Sequence, residues 1–318
     1  MKIILPGGSG QIGTALAARL HSDGHQVVVL SRSPSTVPWQ VMQWDTQTLG
    51  SWATELDEAD VVINFAGRSV NCRYTVANRE EIKHSRIRTT ELIGQAINLC
   101  QSPPCLWLNS STATIYSHRY DAPNDEASGI LGSQDTQSPD TWRFSIDVAE
   151  SWEQAADKFD FPSTRLIKLR TAMVMGPGRG GVFDVFTSLA RKGLGGTLGD
   201  GCQFVSWIHE EDFIRAILWL IDNNQLSGSV NICAPNPLPN RDFMRALRQA
   251  CGAPFGLSAS KWMLEIGTFF MRTETELILK SRRVVPSRLI ESGFIFNHPT
   301  WSEAVEDLHR LWKVAAWR

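Results

Sequence analysis

The chain opens Met1-Lys2-Ile3-Ile4-Leu5-Pro6-Gly7-Gly8-Ser9-Gly10-Gln11-Ile12-Gly13, and a helix-forming run from Thr14 to Leu20 follows at once. A short apolar run of this kind reads as a buried strand. The glycines at 7, 10 and 13 are spaced G-x-x-G-x-x-G. Strand, glycine turn and helix in this order form the opening of a dinucleotide-binding unit. Glycine is needed because a Cβ in the turn would push the backbone away from a pyrophosphate. The helix N-terminus then offers free N–H groups and a partial positive charge to that anion. A tight strand–helix turn without any ligand uses the same residues, so the neighbouring sequence has to decide. A second strand, Gln26-Val27-Val28-Val29-Leu30, ends in Ser31-Arg32-Ser33, with no acid at the strand end. An acid there holds the ribose 2′-OH of NAD, whereas an arginine accommodates the 2′-phosphate of NADP. The planar donor fork of Arg32 beside the Ser31 hydroxyl suits a phosphate. This reading selects NADP(H) over NAD(H).

Composition narrows the remaining classes. The chain has 318 residues and is 42% hydrophobic, enough for one large domain or one domain plus a smaller lobe. A net charge of −2 gives no indication of nucleic-acid binding. No apolar run reaches membrane-spanning length, and a strand starting at residue 3 leaves no room for a signal peptide. The six cysteines, at 72, 100, 105, 202, 233 and 251, form no C-x-x-C pair and lie near no histidine cluster. Neither zinc nor a disulfide framework is expected, and no metal is assigned. The expected setting is a reducing cytoplasm. Most of the 12 tryptophans read as packing residues, with Trp207 as a possible exception. The apolar stretch Trp262 to Met271, interrupted by Glu265, reads as a helix on the core.

Strand and helix signals alternate through the first two-thirds of the chain. Further strands read at Val61–Phe65, Cys105–Asn109 and Thr164–Leu169, and helices at Asn78–Cys100 and Arg143–Lys158. Near-continuous apolar strands between helices indicate a parallel sheet covered on both faces. Ligands of such sheets bind outside the carboxyl ends of the strands. That rule selects Gly7–Gly13, Ser31–Arg32, Phe65–Gly67, Ser110–Thr112 and Thr171–Pro177. The polar segment Tyr120–Thr141 reads as a long surface loop, a type that is often functional or mobile. After residue 178 the pattern changes to glycine-rich segments, an apolar helix at Glu211–Ile221 and a mostly helical section from Asn240. The expected fold is therefore α/β, a Rossmann-type doubly wound parallel sheet in residues 1–178, to which some later segments return. Residues 179–318 would form a smaller, mostly helical substrate lobe.

GGSGQIG, NFAG at Asn64–Gly67, SSTATIY at Ser110–Tyr116 and LRTAMVMGPG at Leu169–Gly178 together resemble the extended short-chain dehydrogenase/reductase superfamily of epimerases and dehydratases. The segment Gly193–Phe213, the run EEIKHSRIRTTELI and the segment Ser281–Phe296 resemble one subfamily described as NADP-dependent epimerase-like oxidoreductases. The resemblance places Gly7, Gly10, Gln11, Ile12 and Gly13 around the pyrophosphate. It places Ser31 and Arg32 on the 2′-phosphate, and Phe65, Ala66 and Gly67 along the cofactor. Arg86 would face the cofactor, Glu81 would position Arg86, and Val174 would touch the nicotinamide end. Thr112 matches the family's catalytic Ser/Thr, and Trp207 and His209 fall in the wall of the substrate pocket.

One departure limits the functional reading. Members of this superfamily move a proton with a tyrosine whose pKa is lowered by a lysine four residues later. This chain has three tyrosines, at 74, 116 and 120, and none has a lysine four positions on. Aligning the helix on Trp152-Glu153 puts Ser145 and Ala149 at the tyrosine and lysine positions. Three explanations remain open. Tyr116 or His209 supplies the proton instead, imidazole being suited to transfer near neutrality. Or the reaction needs little general acid, as when a conjugated double bond accepts hydride. Or the protein binds NADP(H) without turnover, as a regulatory protein. The expected ligands are NADP(H) and a small-molecule substrate, with no nucleic-acid or membrane partner, in a monomer or homodimer.

Overall fold

The computed structural model describes residues 1–33, 35–135, 137–259 and 276–315. The expected helix at Trp262–Met271 lies outside these described residues.

Seven strands make one sheet. They are β1 (Lys2–Pro6), β2 (Gln26–Ser31), β3 (Gln40–Gln43), β4 (Val61–Asn64), β5 (Leu106–Thr112), β6 (Arg165–Thr171) and the late strand Gly228–Ile232. Their order is β3-β2-β1-β4-β5-β6, with Gly228–Ile232 outside β6, and each neighbouring pair is parallel. Strand order reverses between β1 and β4, which opens the crevice where such sheets take ligands.

The apolar runs are continuous because both faces are covered. Successive side chains on a strand point to opposite faces. Ile3 and Leu5 of β1, with Val27, Val29, Ile63 and Leu108, pack on one side. They meet Leu16 and Leu20 of α1 (Gln11–Ser22) and Phe213 and Ile217 of α5 (Glu210–Asp222). Ile4, Val28, Leu30, Val62 and Trp107 face the other way, onto Leu92, Ile93 and Ile97 of α2 (Val76–Leu99). Ala156 of α3 (Asp140–Asp157) joins that second layer.

A separate core holds the lobe. Phe183 of α4 (Val182–Arg191), Phe243 and Leu247 of α6 (Asn240–Cys251) and Leu308 of the C-terminal helix Trp301–Ala315 close around Trp301. Trp301 stacks on Phe243 at 4.1 Å between ring centroids. The lobe joins the sheet through a short parallel pair, β7 (Met173–Met175) with residues Trp207–His209.

One element differs from the sequence reading. Strand β3 was not expected. It is a polar edge strand with an exposed–intermediate pattern, held through its main-chain pairing to β2. Strand Gly228–Ile232 and helix α5, beyond residue 178, belong to the sheet and its principal core. The loop Tyr120–Thr141 is pinned near its start. Asn124 is fully buried, donates its N–H to Arg283 O at 2.7 Å and accepts from Val285 N at 3.0 Å. Among the described residues no helix is long and apolar enough to cross a membrane.

Candidate functional site

The turn between β1 and α1 is built by steric exclusion. Gly7 has φ +73°, and a Cβ there would lie 2.6 Å from the Ala66 backbone. A Cβ on Gly13 would lie 2.6 Å from Gly8 Cα. These two glycines let the β4 loop and the first turn of α1 close on one another. Gly10 differs. A Cβ there would meet only Gly7 O at 3.9 Å, so the space in front of Gly10 is open. Gly10 caps α1 without a side-chain hydrogen bond, and the first turn carries no acid. The result is a bare helix N-terminus with unsatisfied N–H groups, a ready anion site.

The expected cofactor residues surround this turn. Ser31 Oγ donates to Ser9 Oγ at 3.1 Å, tying the end of β2 to the glycine loop. Arg32 projects from that strand end and is exposed. Phe65 packs against the principal core 6.2 Å from Phe213, and the Ala66 N–H donates to Asn64 Oδ1 at 2.9 Å. Ile12 and Val174 are half-buried against the same core. The Gln11 side chain crosses to the loop after β7: a Cβ on Gly178 or Gly181 would lie 2.6 Å from its amide atoms. Gln11 thus bridges the two loops that flank the helix N-terminus.

Arg86 lies against Gly67, whose absent Cβ would sit 3.2 Å from Arg86 Cγ. Its guanidinium lies 5.0 Å over the Trp152 ring and donates to Ile82 O at 2.9 Å. No acid compensates its charge in these contacts, and burial pushes its pKa down to about 10. A guanidinium in such a setting favours an anionic or carbonyl ligand. Glu81 does not position it. That carboxylate is exposed, and the guanidinium bond goes to the Ile82 carbonyl one turn back.

Thr112, at the end of β5, is half-buried and caps the short 3-10 turn Ala113–Ile115, accepting from Thr114 N at 3.2 Å. The other two catalytic expectations are corrected by the structure. Tyr116 is 2% exposed, donates to Asn231 Oδ1 at 2.9 Å and accepts from Arg170 at 3.0 Å. Arg170 is in turn paired twice with Glu153, at 2.8 and 2.9 Å. Burial raises the phenol's pKa, and the single proton of its hydroxyl is already donated to Asn231.

His209 is also a structural residue, 2% exposed. Its Nδ1 accepts from Glu211 N at 3.0 Å, capping α5. Its ring stacks on His298 at 3.8 Å, and burial, reinforced by His298, pushes its pKa down to about 4. Trp207 is fully buried in the lobe core, 5.0 Å from the Trp301 ring. The nitrogen and oxygen atoms of His209, His298 and Asp307 come within 4.8 Å of one another. Yet an imidazole that accepts at Nδ1 carries its proton on Nε2. That Nε2 lies 3.4 Å from the Asp307 carboxylate and makes no hydrogen bond among the described residues.

Three polar groups were missed from the sequence. Glu210 is half-buried, burial raises its pKa, and a Cβ on Gly176 would collide with its Oε2. It follows His209 directly, so the register of β7 against Trp207–His209 was the available signal. Glu276 and Lys280 come from the C-terminal part. Ser145, at the expected tyrosine position, donates to Glu276 Oε2 at 2.9 Å, while Ala149 is fully buried. Lys280 Nζ donates to Thr114 O at 2.7 Å across 166 residues of sequence, a separation no local motif reveals.

Comparison with known proteins agrees with this architecture. The profile of the NAD dependent epimerase/dehydratase family matches residues 3–233, and a domain of unknown function, DUF1731, matches residues 259–308. The chain is 29% identical to the Bos taurus epimerase family protein SDR39U1 over 312 residues, covering 97% of this chain and 99% of that protein. It is 29% identical to the epimerase family protein ML0860 of Mycobacterium leprae, covering 95% and 94%. The crystal structure of human SDR39U1 with NADPH superposes with a TM-score of 0.85 at 28% identity, covering 98% of this chain and 99% of that one. The UDP-N-acetylglucosamine 4-epimerase of Bacillus cereus shares the fold, with a TM-score of 0.74 at 18% identity. With an intact glycine turn, a doubly wound sheet and a profile match over most of its length, this chain belongs to the NAD dependent epimerase/dehydratase family.

Proposed function

We propose that this chain is an NADP(H)-dependent oxidoreductase or epimerase-like enzyme acting on a small polar molecule held between the sheet ends and the lobe. The observation that carries the reading is the open space before Gly10 at a bare helix N-terminus, with Arg32 and no acid at the end of β2. A dinucleotide fits this cradle. The N–H groups of Gln11, Ile12 and Gly13 hold its pyrophosphate, and Ser31 and Arg32 its 2′-phosphate. Arg86 and the Phe65–Gly67 loop line its far half. The nicotinamide supplies hydride exchange when bound. Thr112 orients the substrate oxygen. The solved human relative with NADPH supports the choice of cofactor.

A second reading is a non-catalytic NADP(H)-binding regulatory protein, favoured by Ser145 and the fully buried Ala149 where the tyrosine and lysine belong. A thermal-shift titration with NADPH, NADP+, NADH and NAD+ tests the cofactor. Stabilisation by the phosphorylated pair alone is expected, and no stabilisation by any of the four refutes both readings. A panel of carbonyl, enone and sugar-nucleotide substrates then separates them. Turnover sensitive to Thr112→Ala favours the enzyme, and tight binding without turnover favours the regulator.

A further inference from the structure

The C-terminal segment enters the place left by the missing tyrosine–lysine pair. Three side chains on it converge there. Glu276 is 1% exposed and accepts from Ser145 Oγ at 2.9 Å. Arg282 pairs with Glu276 Oε1 at 2.9 Å and donates from Nε to Thr114 Oγ1 at 3.1 Å. Lys280 Nζ donates to Thr114 O at 2.7 Å. Thr114 is the residue whose N–H donates to the Thr112 hydroxyl at 3.2 Å. The Thr112 hydroxyl and the Lys280 amine are thus held on the same 3-10 turn, one at its amide and the other at its carbonyl.

The segment is fixed there by its main chain. Arg282 N donates to Phe204 O at 2.8 Å, and Ser206 Oγ donates to Arg282 O at 2.6 Å. Ser281 N donates to His118 Nδ1 at 2.7 Å. Lys280 itself is 2% exposed, and one of its three ammonium N–H groups is taken by Thr114 O.

We propose that Lys280 is the proton donor and acceptor at the substrate oxygen oriented by Thr112, replacing the tyrosine that this chain lacks. The assignment rests on the oxidoreductase reading above. In the reducing direction the carbonyl carbon is reduced by hydride from NADPH. The Lys280 N–H bond breaks, and its proton closes the O–H bond of the alcohol. The lysine is left as a neutral amine and NADP+ is formed. The reverse direction returns the alcohol proton to that amine.

The surroundings of Lys280 suit such a cycle. The groups facing it are Arg282 and Glu276 on its own segment, Asp135 in the loop before α3, and His118 after β5. Burial and the Arg282 charge outweigh the attraction of Glu276 and Asp135, so the ammonium pKa is pushed down to about 7. A proton donor is most effective when its pKa lies near the working pH, and burial is how lysines reach that range. His118 is itself held below the usual imidazole range by burial and by the Lys280 charge.

The test uses the full chain, with Lys280→Arg and Lys280→Met beside it. Carbon–nitrogen NMR of the lysine side chains, titrated with and without NADPH, reads the amine directly. One lysine should titrate near pH 7, and its signal should vanish in Lys280→Arg. In the wild type, turnover of an aldehyde, ketone and 1,2-dicarbonyl panel with NADPH should fall as pH rises through that midpoint. Lys280→Arg keeps a donor for Thr114 O but fixes a charge that burial disfavours, so it should melt lower, whereas Lys280→Met fills the space uncharged; both should bind NADPH while turnover drops about a hundredfold. Lysines that all titrate near pH 10, or a Lys280→Arg protein with wild-type turnover and pH profile, overturn the assignment. A wild-type protein that binds NADPH but reduces nothing in the panel overturns it too. Failure of the wild type to bind NADPH at all instead refutes the cofactor reading, whatever the lysine titration shows.

Discussion

Gly10→Ala separates a nucleotide cradle from a mere tight turn, because the three motif glycines are not equivalent. Gly10 has φ −73° and ψ 169°, which alanine adopts without strain, and its added Cβ would meet nothing closer than 3.9 Å. Two small effects oppose each other there. Restricting the unfolded chain stabilises by about 0.4–1 kcal/mol. Alanine is a poorer N-cap than glycine, by a loss of roughly similar size. Stability should therefore stay within about 0.5 kcal/mol of wild type. Gly13→Ala is the contrast. Its Cβ would lie 2.6 Å from the Gly8 backbone, and overpacking of this kind costs about 1–3 kcal/mol. At position 10 the methyl group points into the space where the pyrophosphate has to approach. Losing one charge-assisted hydrogen bond costs about 1.5–3 kcal/mol, or roughly ten- to hundredfold in affinity. Thermal melting and calorimetric titration with NADPH on the two variants decide the matter. The expected result is Gly10→Ala with wild-type melting and weakened binding, and Gly13→Ala with lowered melting. Gly10→Ala that melts and binds NADPH like wild type would refute the cradle and leave only a structural turn.

Arg32→Ala, at an exposed side chain, should weaken NADPH binding about ten- to hundredfold while leaving NADH binding and melting unchanged. Equal losses for both nucleotides in calorimetry would contradict the 2′-phosphate role. Glu153→Gln should cost about 3–5 kcal/mol in denaturant unfolding, because it leaves Arg170 buried with a broken pair. Burial alone would raise the Glu153 pKa, but the Arg170 bonds and charge and the Ser111 bond bring it below the usual glutamate range. Its contribution is therefore present above the ordinary carboxylate pKa and lost as pH falls through the folded value. Lowering pH should narrow the gap between wild type and Glu153→Gln, and a constant gap down to acid unfolding would refute this. His209 acts in the same direction at a different pH. Its folded pKa of about 4 lies below the ordinary 6.5, so the unfolded chain takes up the proton first and stability falls as pH drops through that window. His209→Asn keeps an N-cap acceptor and should flatten the melting temperature against pH there; an unchanged slope would refute the assignment.

What was legible from the sequence was whatever short-range pattern dictates. The β1 turn is a run of glycines whose steric role needs no distant information. The alternating faces of β1, β2 and β4 follow from unbroken apolar runs, since both sides of a parallel sheet are buried. Strand β3 escaped notice because Gln40-Val41-Met42-Gln43 carries no such run, its place being set by pairing with β2. Tyr116, Trp207 and His209 were misjudged for a related reason. Each lies near the carboxyl ends of strands, where the fold puts ligands, but each points into a core assembled from distant residues: Asn231 for the tyrosine, Trp301 for the tryptophan, His298 and Asp307 for the histidine. Position along a strand was readable; the partner that filled the space was not.

The same argument explains how a site can lose a helix-borne pair and keep a polar centre. A tyrosine and a lysine four residues apart share one helix face, so their geometry is carried by the helix alone. Here α3 presents Ser145 on that face, and Ala149 one turn later is fully buried. A short hydroxyl at position 145 leaves room that a phenol would fill. Glu276 enters it and accepts the serine's hydrogen bond. An isolated carboxylate that is 1% exposed would be costly, and Arg282 offsets it with a bond of 2.9 Å. Arg282 then reaches Thr114, while Lys280, four residues after Glu276, reaches the carbonyl of the same threonine. Each substitution makes sense only with the next, so Ser145→Tyr alone should disrupt the strap instead of restoring a tyrosine site. It is expected to lower the melting temperature without raising turnover. A Ser145→Tyr protein with wild-type melting would show that the Glu276 contact is dispensable and that the C-terminal segment is held independently of α3.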